Sequence, residues 1–134
     1  MAKFPESAWV QSLEQKLNSD EKYAQVARNW EGDMLCVIEP SGVLIEPIIF
    51  YLDLWHGKCR STAVLTSLDG VKPVLSLKAT YDQYVRLIKG EIDPMQAMLT
   101  RKVSVQGNMA LLMRNVPVVL DFVRCCREIT TGYL

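Results

Sequence analysis

Gly90–Arg114 reads GEIDPMQAMLTRKVSVQGNMALLMR. This stretch alternates helix ends with short elements closely enough to set the fold. Gly90 follows the apolar-periodic run Tyr81, Tyr84, Val85, Leu87, Ile88 and suits the left-handed position just past a helix. Asp93-Pro94 is an N-cap followed by a first-turn proline, whose missing N–H has no intrahelical partner there. Met95, Met98 and Leu99 fall at i, i+3 and i+4 and so share a face of a short helix. Val103 and Val105 alternate with Ser104 and Gln106, the period of a half-buried strand. Gly107-Asn108 makes a corner, and Asn108 is placed to cap a helix carrying Met109, Leu112 and Met113. Four of the six methionines lie in this stretch. Methionine is unbranched and polarizable, so a wall made of it can reshape around an ill-defined apolar guest.

The same reading extends towards both ends. Ser7 is placed to cap a first helix in which Trp9 or Val10, Leu13 and Leu17 repeat at helical spacing. Ser19-Asp20 starts a second, with Tyr23, Val26, Ala27 and Trp30. Strand signals follow at Met34–Ile38, then a turn at Glu39-Pro40-Ser41-Gly42. Val43–Leu54 is apolar on both alternating rows, and Pro47 places the start of the paired strand at Ile48. Phe50 and Leu52 compete with Ile49 and Tyr51 for its inner row. His56-Gly57-Lys58 reads as a hairpin turn into Cys59–Leu65. Asp69-Gly70 is a further turn, leading to a strand at Val74–Lys78, after which Thr80 caps a helix. Beyond the methionine-rich stretch, Pro117 opens a last helix with Val119, Leu120, Val123 and Ile129. Two helices, four strands, two helices, one strand and two helices make an α+β domain, with helices on one face of a mostly antiparallel sheet. The 134 residues are expected to form a single domain with a core of its own.

The corners of the opening stretch are those of a known family. The chain resembles the sterol carrier type-2 family, the sterol-binding or non-specific lipid-transfer domain. There a helix ends in glycine, a turn leads to an Asp-Pro helix, and a lysine-bearing strand runs into Gly-Asn or Gly-Asp before an apolar helix. The matching residues are Gly90, Asp93-Pro94, Lys102–Val105 and Gly107-Asn108, and the likeness extends back to Trp30-Glu31-Gly32, covering roughly residues 30–115. The family usually has a glycine just before the strand lysine, where this chain has Arg101. The resemblance implies a five-stranded sheet covered by helices, with an apolar tunnel between the layers. It also implies a carrier of fatty acyl, sterol-like or isoprenoid molecules. On this reading the lining comes from Phe50, Leu52, Met95, Met98, Leu99, Val105, Met109, Leu112, Met113 and Leu120.

Composition removes several alternatives. Lys plus Arg equals Asp plus Glu, 15 against 15, so no large basic field draws nucleic acid. Cys36, Cys59, Cys125 and Cys126 show no C-x-x-C spacing, and with one histidine they read as reduced apolar residues rather than metal or redox groups. The seven glycines contain no phosphate-binding G-x-G-x-x-G, so no nucleotide or other cofactor is expected. His56, in a hairpin turn, reads as solvated. Asp53 with Tyr51, Tyr81 and Tyr84 is the one grouping suited to isomerase chemistry at an acidic carbon. The amino end lacks the apolar core of a signal peptide and Thr131-Gly132-Tyr133-Leu134 is no peroxisomal address, so a cytoplasmic location is expected. A non-enzymatic carrier is the first expectation, with an apolar lipid as ligand, transient membrane contact, and a monomeric or weakly dimeric state. An accessory protein of a lipid-biosynthesis assembly, using the two-sided apolar strand and Trp55, is the second. A small isomerase built on Asp53 is the third.

Overall fold

Helix caps set the corners of the molecule. In the computed structural model, which describes residues 2–134, the Asp93 carboxylate accepts from the N–H groups of Met95 and Gln96 at 3.0 Å and starts α4 (Pro94–Leu99). Asn108 accepts from Leu111 N–H and starts α5 (Met109–Met113). Thr80 accepts from Gln83 N–H and starts α3 (Tyr81–Lys89), which Gly90 ends at φ +81°. Asp20 accepts from Tyr23 N–H and opens α2 (Glu21–Val26). Each cap satisfies a backbone donor that the helix itself leaves unpaired.

The remaining elements are β1 (Ala2–Phe4), α1 (Ser7–Ser19), β2 (Met34–Glu39), β3 (Ile48–Trp55), β4 (Lys58–Leu65), β5 (Leu75–Thr80), β6 (Ser104–Gly107), α6 (Val116–Ile129) and β7 (Thr130–Tyr133). The five-stranded sheet has the order β4-β3-β2-β5-β6. Its pairs are antiparallel except β2–β5, which run parallel across the β3–β4 excursion. The expected α+β architecture, with a five-stranded, mostly antiparallel sheet under helices, is therefore what the chain forms.

Register decides which residues face the helices. Met34 pairs with Leu52 and Leu75, and Cys36 with Phe50 and Leu77, so these side chains form one row across three strands. The row that takes Phe50 and Leu52 inward leaves Ile49, Tyr51 and Asp53 on the outer face, since alternate residues point to opposite sides. Phe50, Leu52 and Leu54 are buried. Each helix sets apolar residues against this inner face, from Trp9 and Leu13 of α1 to Val118 and Cys126 of α6.

Three local expectations need correction. Ser7 is the first helical residue of α1 rather than its cap: Glu6 holds the cap position and makes no side-chain cap bond. The second helix ends at Val26, and Ala27–Trp30 continue as turn. The chain ends also pair: β1 runs parallel to β7 in a two-stranded sheet, with Leu134 N–H donating to Phe4 O. No local sequence pattern signals that pairing. It sets Phe4 edge-on to Trp9, with ring centroids 4.9 Å apart.

Candidate apolar binding cavity

Between the inner row of the sheet and the helical layer lies a cavity of about 70 Å³. A buried water needs about 10–15 Å³ of such space, so the void admits a few methylene-sized groups rather than a complete long chain. Its wall is apolar and, among the described residues, contains no charged side chain. The hydroxyl of Tyr84 at its edge donates to Leu77 O at 2.7 Å and is thereby satisfied within the protein. Burial pushes the Cys36 thiol up to about 12 and raises that of Cys126 well above the usual range, so neither is a thiolate near neutral pH.

The expected lining residues separate into three groups. Phe50, Leu52, Met98 and Leu112 are brought together on the cavity wall. Met95 and Val105 are half-buried against the surrounding core without reaching the void. Leu99, Met109, Met113 and Leu120 lie on the outside, with 72%, 42%, 46% and 44% of their surface exposed. The reason is angular. Met98 and Leu99 are about 100° apart on α4, so only one can point inward. In α5, one and a half turns long, Leu112 takes the inward direction and Met113 does not. On α6 the residues facing the void are Val118, Val119, Phe122, Val123 and Cys126, and Leu120 falls between their stripes.

Much of the wall comes from residues to which the sequence assigned no binding role. Phe4, Trp9, Leu13, Tyr23 and Trp30 close the cavity from the amino-terminal side, and Phe122 closes it from α6. The helical spacing of Trp9, Leu13 and Leu17 is the available signal, and by itself it indicates core packing alone. Val119 and Phe122 are half-buried while lining the void, so the start of α6 is a thin part of the wall.

The other candidate chemistry lies away from the cavity. Asp53 is on the outer face and receives two hydrogen bonds from Arg60, at 3.1 and 3.0 Å. Tyr51 donates to Asp33 on the same face, while the Tyr81 hydroxyl is engaged by Leu134 O. The grouping of Asp53 with Tyr81 and Tyr84 is thus not assembled. His56 sits in the β3–β4 turn beside Glu31, half-exposed. Asp20, Asp121 and Cys125 gather their ligand atoms within 4.8 Å, yet the Arg124 guanidinium already bonds both carboxylates. That node ties α2 to α6 and is cationic where a metal ion would sit.

Comparison with known proteins adds a decisive match. The model of the SCP-2 sterol transfer family matches residues 10–119, most of the chain. The chain belongs to the SCP-2 sterol transfer family. Among solved structures it is similar to a conserved hypothetical protein from Thermus thermophilus that has been suggested to be a sterol carrier protein. That match has 25% identity, covers 95% of this chain and 90% of the other, and has a TM-score of 0.84. It is similar to a crystal structure of sterol carrier protein 2 at 25% identity, covering 90% and 95%, with a TM-score of 0.81. It shares its fold with sterol carrier protein 2 from Aedes aegypti in complex with the C16 fatty acid palmitate, at 17% identity, 90% and 98% coverage and a TM-score of 0.53. No curated protein matches the chain. Among the described residues, no helix is long and apolar enough to cross a membrane.

Proposed function

We propose that this SCP-2 family member is a non-catalytic cytoplasmic carrier that holds one apolar lipid between its sheet and its helices. The ligand class is a fatty acyl chain, a sterol-like molecule or an isoprenoid, bound by a single unit spanning residues 1–134. The observation that carries this reading is the cavity itself, walled by helices and by the inner sheet row, with no charge in the wall. Each methylene moved out of water contributes about 0.8 kcal/mol, so a sixteen-carbon chain gains roughly 12 kcal/mol before ordering costs. Such a ligand needs no charged anchor inside. A guest of that length exceeds the present void, so binding displaces side chains of the wall. Met98 has the freedom to move, and the half-buried Val119 and Phe122 stand where an opening disturbs the fewest contacts. The palmitate complex of the Aedes aegypti relative supports the choice of an apolar chain.

Titration with a fluorescent fatty acid, together with native mass spectrometry, tests the reading. Saturable binding with one lipid per protein is expected. Met98→Lys abolishes it and Met113→Lys retains it. Cys36→Phe, which fills the void without adding charge, lowers affinity while circular dichroism stays native. Lipid binding that is indifferent to both Met98→Lys and Cys36→Phe in folded protein would refute the site.

A further inference from the structure

One segment of the chain has a composition unlike the rest. Residues 94–120 contain Arg101, Lys102 and Arg114 and no Asp or Glu, although the whole chain balances 15 cations with 15 anions. All three cations are exposed, and none joins an ion pair among the described residues. The same segment carries Leu99, Met109, Met113 and Leu120, the apolar side chains left outside the cavity. In the fold it forms α4, the edge strand β6, α5 and the first turns of α6, one after another. The nearest acids in sequence are already engaged: Asp93 caps α4, and Asp121 is buried against Arg124. Arg101 also stands at φ +62°, a left-handed conformation in which a glycine is cheaper. The chain thus keeps a cation there against a local conformational cost.

We infer that this surface, α4–β6–α5 with the start of α6, docks on an anionic lipid bilayer, its cations at the headgroups and its Leu and Met side chains at the acyl boundary. Interfacial binding combines these two contributions: apolar area inserted below the headgroups, and attraction to negative lipid. Three cations are too few for a nucleic-acid footprint, and exposed Leu99 and Met113 have no use against phosphates. Inward-facing residues of the same segment, Met98, Val103 and Leu112, line the cavity. A bilayer contact here places the thin wall of the cavity against the membrane. That last consequence rests on the carrier reading; the docking does not.

The test is co-sedimentation of the full chain with large vesicles, either pure phosphatidylcholine or phosphatidylcholine and phosphatidylserine at two to one. Binding is expected only to the anionic vesicles, weakening as salt rises from about 0.1 to 0.5 M. Each surface cation contributes about fivefold. Arg101→Gln/Lys102→Gln/Arg114→Gln therefore lowers partitioning roughly a hundredfold. Leu99→Ser/Met113→Ser lowers it by at least roughly tenfold. The control Arg28→Gln/Lys58→Gln/Lys72→Gln, of equal charge change elsewhere on the surface, leaves it within about twofold. Equal losses in both triple variants would show a response to net charge alone and overturn the assignment. So would equal binding to neutral and anionic vesicles. Binding that polyglutamate displaces and Leu99→Ser/Met113→Ser leaves intact identifies an acidic protein as the occupant and also overturns it. Fatty-acid titration of the triple Arg101/Lys102/Arg114 variant keeps the two readings apart, since soluble ligand still binds if only docking is lost.

Discussion

Arg124→Met is expected to be among the most destabilising single changes outside the cavity. The guanidinium donates to Asp121 at 2.7 and 3.2 Å, to Asp20 at 2.6 Å and to Glu128 at 2.6 Å. Asp121 is only 4% exposed, and its other cation, Lys22, lies 3.6 Å away at the surface. Removing Arg124 leaves a buried carboxylate nearly unpaired and loosens the cap of α2. Breaking a buried pair from one side costs about 3–5 kcal/mol. Asp20 retains Lys16 and the Tyr23 N–H, so the lower end, about 3 kcal/mol, applies. At about 2.1 cal/mol/K per residue, a 134-residue chain loses roughly 3–4 °C of Tm per kcal/mol, so the expected drop is about 11 °C.

The pH dependence has a definite sign. The Arg124 guanidinium, helped by the Tyr23 N–H and Lys16, holds the Asp20 carboxyl well below the usual carboxylate range against the effect of its burial. A depressed folded-state value contributes stability above the unfolded value of about 4, and that stability fades as pH falls through the folded one. The gap in Tm between native protein and variant therefore narrows below about pH 4. Arg124→Leu/Asp121→Leu recovers most of the loss, because the stranded charge is gone. Differential scanning calorimetry at several pH values measures all three. A single-variant drop below about 3 °C, or a double variant no better than the single, would refute the reasoning.

Two further changes probe the corners of the methionine-rich stretch by chemical denaturation. Arg101→Gly removes a left-handed arginine and is expected to raise stability by about 0.5–1 kcal/mol, less than the full strain because glycine gains freedom in the unfolded chain; any loss contradicts this. Gly107→Ala places a Cβ 2.1 Å from Val74 O at φ +110° and is expected to cost more than about 2 kcal/mol; a loss under about 1 kcal/mol contradicts the close approach of β6 to β5.

The corners of this protein are legible in the sequence because capping is local. Asp93, Asn108, Thr80 and Asp20 each satisfy donors two or three residues away, and Gly90 adopts its left-handed turn within the same window. Ser7 misleads because the residue before it, Glu6, takes the extended cap position without using its side chain. The β1–β7 pair is hidden because three- and four-residue strands at opposite ends of the sequence carry no periodic signal of their own. Periodicity states that Met98 and Leu112 belong to apolar faces. It does not state how a helix as short as α4 or α5 is rotated against the sheet. Hence Leu99, Met109 and Met113 suit by spacing a wall from which the packing excludes them. The aromatic closure by Phe4, Trp9 and Trp30 depends on the chain ends meeting, and so escapes a local reading.

The central claim is that an apolar chain lies between the sheet and the helices. Isotope-filtered nuclear Overhauser spectroscopy on protein loaded with carbon-13-labelled palmitate tests it most directly. The account predicts contacts from the middle of the chain to the methyl groups of Leu52, Met98 and Leu112 and to the Phe50 ring. A ligand whose contacts fall on Leu99, Met113 and Leu120, with none to Leu52 or Phe50, would contradict it.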